Sequence, residues 1–172
     1  MTNYRGAPPP EDPPRLPSVA DDGRFMDEAL AEARDAANSG DVPVGAVVVR
    51  DGKVIGRGRN RREADRDPTA HAEILALREA SQALRRWRLE DCALYVTIEP
   101  CAMCAGAAIV ARIPLVVFAG PEEKTGAVVS VLTLFDEPSA LHRPKWRLGI
   151  RRTESESLLR EFFAARRGAE PA

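Results

Sequence analysis

The chain is poor in the residues by which several protein classes are recognised. It has three cysteines and two histidines among 172 residues, and aromatic residues make up 5%. Three cysteines are too few for the disulfide framework of a small secreted domain. No run approaches the roughly 18 apolar residues of a membrane span, and the N-terminus lacks the apolar segment of a secretory signal. We therefore expect a protein of the reducing cytoplasm without a membrane partner.

An excess of charge of either sign is also absent, since 25 basic and 26 acidic residues give a net charge of −1. This excludes a uniformly basic nucleic-acid-binding protein, but the basic residues are clustered. One cluster, residues 143–152, has no acidic residue and contains Arg143, Lys145, Arg147, Arg151 and Arg152. Such a cluster either contacts phosphates or forms solvated surface, and charge alone does not decide between these interpretations.

The composition divides the chain into tails and one domain. Residues 1–20 are rich in proline and have no apolar periodicity, so we expect a disordered tail there. Residues 21–168 are long enough for a single domain with a sizeable core. Residues 169–172 are expected to be a short C-terminal tail.

Helical and strand patterns alternate between residues 21 and 168. Helices are predicted at 21–39, from Pro68 to about residue 86, at 101–111 and at 153–168. Strands are predicted at 44–49, 53–59, 93–98, 113–118 and 145–151. Asp51-Gly52 is a strong signal for a two-residue hairpin between the first two strands. The alternation predicts an α/β fold with some parallel strand pairing.

Two short motifs contain the side chains best suited to bind a metal. The first is Pro68-Thr69-Ala70-His71-Ala72-Glu73, and the second is Glu99-Pro100-Cys101-Ala102-Met103-Cys104. One imidazole and two thiolates suit zinc, and three protein ligands leave the fourth position open for water. Both motifs lie at predicted helix starts, where unpaired N–H groups and the helix dipole stabilise thiolates. We predict a catalytic zinc site formed by His71, Cys101 and Cys104.

Three other interpretations compete with a catalytic zinc site. A C-x-x-C pair also occurs in structural zinc sites, in redox pairs and around nucleophilic cysteines. A structural site needs a fourth protein ligand, and the spare candidates, Cys92 and His142, are far from both motifs in sequence; we expect Cys92 to be a buried strand thiol. Glu73 favours the catalytic site because a carboxylate beside the metal can carry protons.

The two motifs resemble the H-x-E … P-C-x-x-C signature of the zinc-dependent nucleobase and nucleoside deaminases. Further segments are similar to the bacterial tRNA adenosine deaminases: 42–46, 58–60, 67–74, 94–97, 99–107 and 124–127. The similarity extends from about Arg24 to Arg167. It implies a three-layer α/β/α cytidine-deaminase-like fold with a central five-stranded mixed sheet, and a homodimer.

The resemblance also implies a reaction and the residues that perform it. The reaction is hydrolytic deamination of adenosine to inosine at the wobble position of a tRNA-Arg anticodon, with release of ammonia. One zinc per subunit, held by His71, Cys101 and Cys104, would activate water, and Glu73 would be the proton shuttle. Asn60, the backbone of Ala72 and Val44 would contact the flipped base. The basic cluster would contact the anticodon arm through Arg143, Lys145, Arg151 and Arg152.

Two positions depart from the family pattern. The loop 120–124 has Glu122 but no aspartate, and Leu141 stands where the family often has asparagine. Two other functions also fit a zinc site of this type. A free nucleobase deaminase acting on guanine or cytosine would not need arginine-rich surfaces, and a non-catalytic zinc-containing RNA-binding subunit would be expected to lack Glu73.

Overall fold

A computed structural model describes residues 15–169 of the chain, with side chains described as far as Arg167. In chain order the elements are α1 (Val19–Asn38), β1 (Gly45–Arg50), β2 (Lys53–Arg59), α2 (Arg62–Asp65), α3 (Ala72–Leu84), β3 (Ala93–Val96), α4 (Ala102–Val110), β4 (Leu115–Phe118), β5 (Lys145–Leu148) and α5 (Arg152–Ala169). In this described part, no helix is both long and apolar enough to span a bilayer.

The five strands form one mixed sheet in the order β2-β1-β3-β4-β5. β1 pairs antiparallel with both β2 and β3, whereas β3, β4 and β5 are mutually parallel. Asp51 and Gly52 have φ angles of 48° and 73° and form the tight turn between β1 and β2. The predicted hairpin and the five-stranded mixed sheet are therefore confirmed. Because β3, β4 and β5 are parallel, their carboxyl ends meet at one end of the sheet.

Helices cover both faces of the sheet, which confirms the three-layer α/β/α arrangement. Alternate strand residues such as Val48, Leu94 and Val116 pack against α3 and α4. The intervening residues, among them Val47 and Tyr95, pack against α1 on the opposite face. This period of two in side-chain direction lets a nearly continuous apolar strand fill two cores.

α1 begins at Val19 rather than at the predicted Asp21, because Ser18 is its N-cap. The Asp21 carboxylate accepts hydrogen bonds from the Ser18 backbone N–H and hydroxyl, at 3.1 and 2.7 Å. The preceding Pro17 is buried. Residues 19 and 20, assigned to the tail by composition, thus belong to α1. Residues 1–14 of that predicted tail, and 170–172 of the predicted C-terminal tail, lie outside the described residues.

A buried polar network joins α1 to the sheet. The Asp22 carboxylate is 0% exposed and accepts a hydrogen bond from the Tyr95 hydroxyl at 2.7 Å. The Arg147 guanidinium on β5 donates to both Asp22 oxygens at 2.9 Å. Removing one partner of such a pair leaves an uncompensated buried charge, at a cost of roughly 3–5 kcal/mol.

α3 starts four residues later than predicted, at Ala72 rather than Pro68. The Asp67 carboxylate accepts hydrogen bonds from the backbone N–H and the hydroxyl of Thr69, at 2.8 and 2.7 Å, and so holds residues 67–70 in a turn. The prediction that His71 lies in the first helical turn is therefore wrong, because His71 is the N-cap residue of α3. The short helix α2, absent from the prediction, lies just before this turn.

Candidate metal centre and its cavity

His71 is positioned by a close approach between α3 and the strand β2. A Cβ atom at Gly58 would lie 2.1 Å from the carbonyl oxygen of Ala72, so only glycine allows α3 to pack this closely on the strand. The Arg61 N–H also donates to the carbonyl oxygen of Ala70 at 3.0 Å. These two contacts place the half-buried His71 imidazole at the end of the sheet where β3 ends.

Cys101 and Cys104 are placed by the turn that follows β3. Cys101 is the N-cap residue of α4, and Cys104 lies one turn further on the same face. Cys101 also forms an isolated bridge with Gly126, and the Ala127 N–H donates to the Pro100 carbonyl at 2.9 Å. The loop after β4 therefore supports the C-x-x-C turn from behind.

The three predicted ligand side chains meet in space. The Nδ1 atom of His71 lies 3.7 Å from the Sγ atom of Cys101 and 3.6 Å from that of Cys104. All three ligand atoms lie within 4.8 Å of one another. A tetrahedral zinc with ordinary Zn–N and Zn–S bonds needs about 3.6 Å between nitrogen and sulfur. The donor set and its spacing thus fit a metal ion with three protein ligands.

The electrostatics of the cluster favour a thiolate at Cys101. A hydrogen bond from the Cys104 thiol, together with the neighbouring His71, lowers the pKa of Cys101 to about 3. The same hydrogen bond, aided by burial, raises the pKa of Cys104. The hydrogen bond to Cys101 also raises the pKa of His71. A bound cation would favour release of the remaining thiol proton, because a coordinating thiol is deprotonated.

Glu73 lies beside this cluster and is only 3% exposed. Burial raises the pKa of its carboxyl group. The residue lines the same cavity as His71 and Cys101. Since Glu73 is outside the three-ligand group, its position suits a carboxylate that exchanges protons with molecules in the cavity.

The cluster opens into a cavity of about 230 Å³. This volume is below the roughly 300–1,000 Å³ of pockets for drug-sized ligands, so the cavity suits a group as small as one base. Val44, Asn60 and Ala72, the predicted substrate contacts, all line it. The remaining lining residues are Val42, Arg62, Ile98, Glu99, Glu122, Thr125, Leu159 and Phe163.

Asn60 has an unpaired polar atom at the cavity wall. Its Nδ2 group donates to the Val42 carbonyl at 3.3 Å, whereas its Oδ1 atom is buried without a partner. A buried polar atom left unpaired costs about 1–3 kcal/mol, which a ligand can recover by hydrogen bonding. Rotation of the amide by 180° exchanges its oxygen and nitrogen, so Asn60 can accept or donate.

Several cavity residues were not identified from the sequence. Leu159 and Phe163 come from α5, whose first turn is tied to the end of β3 by a hydrogen bond from the Ser155 hydroxyl to the Thr97 carbonyl. Arg62 comes from α2, whose first N–H groups donate to the buried Asp41 carboxylate at 2.8 and 3.1 Å. The only signal in the sequence was local: an amphipathic last helix and a basic stretch after β2.

The predicted RNA contacts separate into two groups. Arg151 and Arg152 follow β5, at the end of the sheet where the cavity lies. Both form ion pairs: Arg151 lies 2.8 Å from Asp27, and Arg152 lies 2.6 Å from Glu156. Arg143 and Lys145 precede or start β5, at the opposite end of the sheet. None of the four lines the cavity, and their contact with RNA stays a prediction.

The chain is similar in sequence to known deaminases. Residues 20–167 match the family model of the MafB19-like deaminases. The chain is 47% identical over 139 residues to a tRNA-specific adenosine deaminase of Aquifex aeolicus, covering 81% of this chain and 91% of that protein.

Two solved structures have a similar fold. One, from a study of A-to-I editing by tRNA:A34 deaminases at the wobble position, has 45% identity and a TM-score of 0.77, covering 79% of this chain and 99% of its own. A guanine deaminase from Nitrosomonas europaea has 26% identity and a TM-score of 0.70, covering 92% of this chain and 94% of its own.

Proposed function

The chain belongs to the MafB19-like deaminase family and is similar over most of its length to tRNA-specific adenosine deaminases. We propose that it converts the wobble adenosine of a tRNA-Arg anticodon, position 34, to inosine. Water is consumed and ammonia is released. Identity to the two tRNA deaminases described above, 47% and 45%, exceeds the 26% to the guanine deaminase, which favours the tRNA substrate. A tRNA substrate and free thiols at the site favour the cytoplasm.

The observation that carries this proposal is that Glu73, Asn60 and two of the three candidate metal ligands all line one cavity. Its wall contains two residues of the three-ligand group, the buried Glu73 carboxylate and the unpartnered Asn60 amide oxygen. A redox pair of cysteines would need neither Glu73 nor His71, and a structural metal site would need a fourth protein ligand. The arrangement instead combines metal ligands, a proton carrier and a polar contact for a small substrate.

We propose zinc as the metal, one ion per subunit, held by His71, Cys101 and Cys104. Nitrogen and thiolate donors at this spacing suit zinc, and soft thiolates disfavour magnesium or calcium. When bound, zinc lowers the pKa of water, which makes a nucleophile available near neutral pH.

Glu73 is the proposed proton shuttle. Its buried carboxylate takes up the proton released when water attacks C6 of adenine and delivers it to N1 of the base. It then takes the proton of the new C6 hydroxyl group and passes it to the amine; the C6–N bond breaks, C6 becomes the carbonyl of inosine, and ammonia leaves. Burial raises the pKa of this carboxyl group, which makes the carboxylate a stronger proton acceptor than an exposed glutamate.

The adenine base is proposed to lie between Val44 and the first residue of α3. Val44 offers an apolar surface, and Asn60 offers a hydrogen-bonding group on the same wall. Ala72 is the first residue of α3, so its backbone N–H has no partner within the helix. Leu159 and Phe163 of α5 close the cavity on another side and exclude water from the base.

The base must leave the anticodon loop to enter this cavity, and an unpaired loop makes unstacking cheapest. Arg62 lines the cavity and forms no ion pair within the described residues. We propose that it contacts a phosphate next to the flipped nucleotide. Arg151 and Arg152 are proposed to contact the arm further away, and Arg143 and Lys145 can do so only if RNA extends to the other end of the sheet.

A homodimer is proposed through the outer faces of α3 and α4. The only side chain of α4 that is not Ala, Gly, Met, Ile or Val is Cys104, yet Val110 is 68% exposed. A helix that is apolar on all sides is normally buried. Trp87, 50% exposed, lies beside Val110 in an apolar groove between α3 and α4. We propose that a second copy of the chain covers this surface.

The deciding experiment is incubation of the purified protein with unmodified tRNA-Arg that has adenosine at the wobble position. We expect inosine at that position alone, read by sequencing, with one ammonia per inosine. The same tRNA with guanosine at the wobble position is the matched control. Free guanine, cytosine and adenosine are tested in parallel, and ammonia from a free base without inosine in tRNA would identify a nucleobase deaminase instead.

A further inference from the structure

Glu99 is a buried carboxylate beside the cavity that is held by hydrogen bonds from one loop. Its buried carboxylate, 2% exposed, accepts from the N–H groups of Val128, Val129 and Ser130 on Oε1, at 2.9, 2.7 and 3.0 Å. Its Oε2 atom accepts from the Glu122 N–H at 2.9 Å and from the Ser130 hydroxyl. Five donors from one loop therefore converge on a single carboxylate.

The loop approaches Glu99 so closely that its tip must be glycine. A Cβ atom at Gly126 would lie 2.5 Å from the Glu99 carboxylate and 2.5 Å from the Glu122 carbonyl oxygen. The same glycine forms the bridge to Cys101. The Glu122–Ser130 segment is thus held between the carboxylate and the start of α4.

This segment also forms part of the cavity wall through Glu122 and Thr125. A carboxylate is the side chain suited to hold it, because both of its oxygens accept hydrogen bonds and neither donates. In a glutamine, the amide NH₂ would face the N–H of Glu122 or the N–H groups of Val128 and Val129. At least one buried N–H group would then lose its acceptor. The free-energy cost of this unpaired donor would destabilise the segment in its present position.

We propose that Glu99 is a positioning residue that holds the Glu122–Ser130 segment as a wall of the substrate cavity, and so determines how tightly the target nucleotide is bound. The kinetic part of this inference rests on the proposed function. Its structural part does not, because the state of the segment can be measured without substrate.

The test compares Glu99→Gln with Asp22→Asn. Both substitutions remove a buried, hydrogen-bonded carboxylate, but Asp22 lies on the opposite face of the sheet and contacts Tyr95 and Arg147. Hydrogen–deuterium exchange is followed by mass spectrometry in zinc-loaded protein. In Glu99→Gln we expect the peptide spanning 122–130 to exchange at least tenfold faster than in wild type. In Asp22→Asn we expect it to exchange at the wild-type rate. Equal exchange of this peptide in wild type and Glu99→Gln would overturn the proposal.

Kinetics on the tRNA substrate separates positioning from general stability. We expect Glu99→Gln to retain one zinc per chain and to raise KM at least tenfold, with kcat changed less than threefold. Asp22→Asn, measured well below its own Tm, should change neither constant. If Asp22→Asn changed KM and kcat as much as Glu99→Gln does, the effect of Glu99 would be one of general stability, and its role in substrate binding would be overturned.

Ser130→Ala tests the same proposal, and it can be used even if Glu99→Gln fails to fold. This substitution removes one of the five donors and leaves the carboxylate in place. Exchange in the 122–130 peptide should rise two- to fivefold, with other peptides unchanged. No local change in Ser130→Ala would contradict the assignment.

Discussion

The Nδ1 atom of His71 lies 3.6 Å from the Sγ atom of Cys104, although the two residues are 33 positions apart in the chain. Each comes from the start of a different helix on the same face of the sheet. The relationship depends on Gly58, which lets α3 pack onto β2, and on the turn that carries β3 into α4. Two local motifs thereby become one metal-binding geometry.

Loss of one thiolate is expected to remove the metal. Cys104→Ser should reduce zinc to well below one per chain, because a serine hydroxyl is a poor zinc ligand. Bound zinc at about 1,000 times its Kd contributes about 4 kcal/mol, so Tm should fall by roughly 10 °C. Metal analysis and thermal unfolding check both effects. Cys92→Ala is the matched control, since Cys92 is buried outside the ligand group and its loss should leave zinc in place.

Neutralising the proposed proton shuttle is expected to stop turnover without loss of metal. Glu73→Gln keeps the size of the side chain but cannot accept a proton, so kcat should fall about 10²–10⁴-fold or more. Inosine formation and zinc content are measured together. Glu79→Gln, an exposed position on the same helix, should retain activity. A Glu73→Gln protein without zinc would instead assign this carboxylate to the metal site.

The cavity arginine is expected to contribute to tRNA binding through a phosphate. Arg62→Ala should weaken binding and reduce the slope of log K against log salt by about 0.7–0.9, as expected for one lost phosphate contact. Arg151→Ala should have a smaller effect, because Arg151 is already paired with Asp27. Filter binding over a salt series gives the slopes. Arg88→Ala is the control, and a slope equal to wild type in Arg62→Ala would remove Arg62 from the interface.

A charge within the apolar α3–α4 surface is expected to prevent dimerisation. Val110→Glu should shift the protein from dimer to monomer, because a carboxylate cannot be buried unpaired in an apolar interface. Val19→Glu is the control: Val19 is 66% exposed, close to the 68% of Val110, but lies at the start of α1. Light scattering after size exclusion measures the mass. If wild type is itself a monomer at micromolar concentration, the dimer proposal is wrong.

Alkaline pH is expected to destabilise the protein through Cys92. Burial raises the pKa of the Cys92 thiol from 9.0 to about 12. Below pH 9 both folded and unfolded chains keep this proton, so Cys92 adds no pH dependence. Between pH 9 and 12 the unfolded chain loses the proton first, and the free energy of unfolding should fall by up to about 1.4 kcal/mol per pH unit.

Urea unfolding of wild type and Cys92→Ala at a series of pH values isolates this contribution, because other titrating groups are common to both proteins. The difference in unfolding free energy should be constant below pH 9 and should shrink above it. A difference that stays constant up to pH 11 would show that the thiol titrates normally in the folded state.

Part of the site could be predicted because its signals are local in sequence. Cys101 and Cys104 are one helical turn apart, so their spacing indicated that the two thiolates could share a metal. Glu73 follows His71 by two positions, which indicated a carboxylate close to the imidazole ligand. The Asp51-Gly52 turn and the apolar strands are likewise short-range patterns. The order of the strands, and thus the end of the sheet at which both motifs meet, was not predicted, because it depends on pairing between segments far apart in the chain.

The amino-acid sequence by itself determined the donor set, the hairpin and the alternation of helices and strands, since these depend on neighbouring residues. Tertiary structure decided where α3 begins, because the Asp67 turn and the close packing on Gly58 outweigh the helix-start signal of Pro68. It also decided that Leu159 and Phe163 close the cavity and that Glu99 holds the 122–130 loop. These contacts join segments far apart in the chain, and only packing of the whole core brings them together.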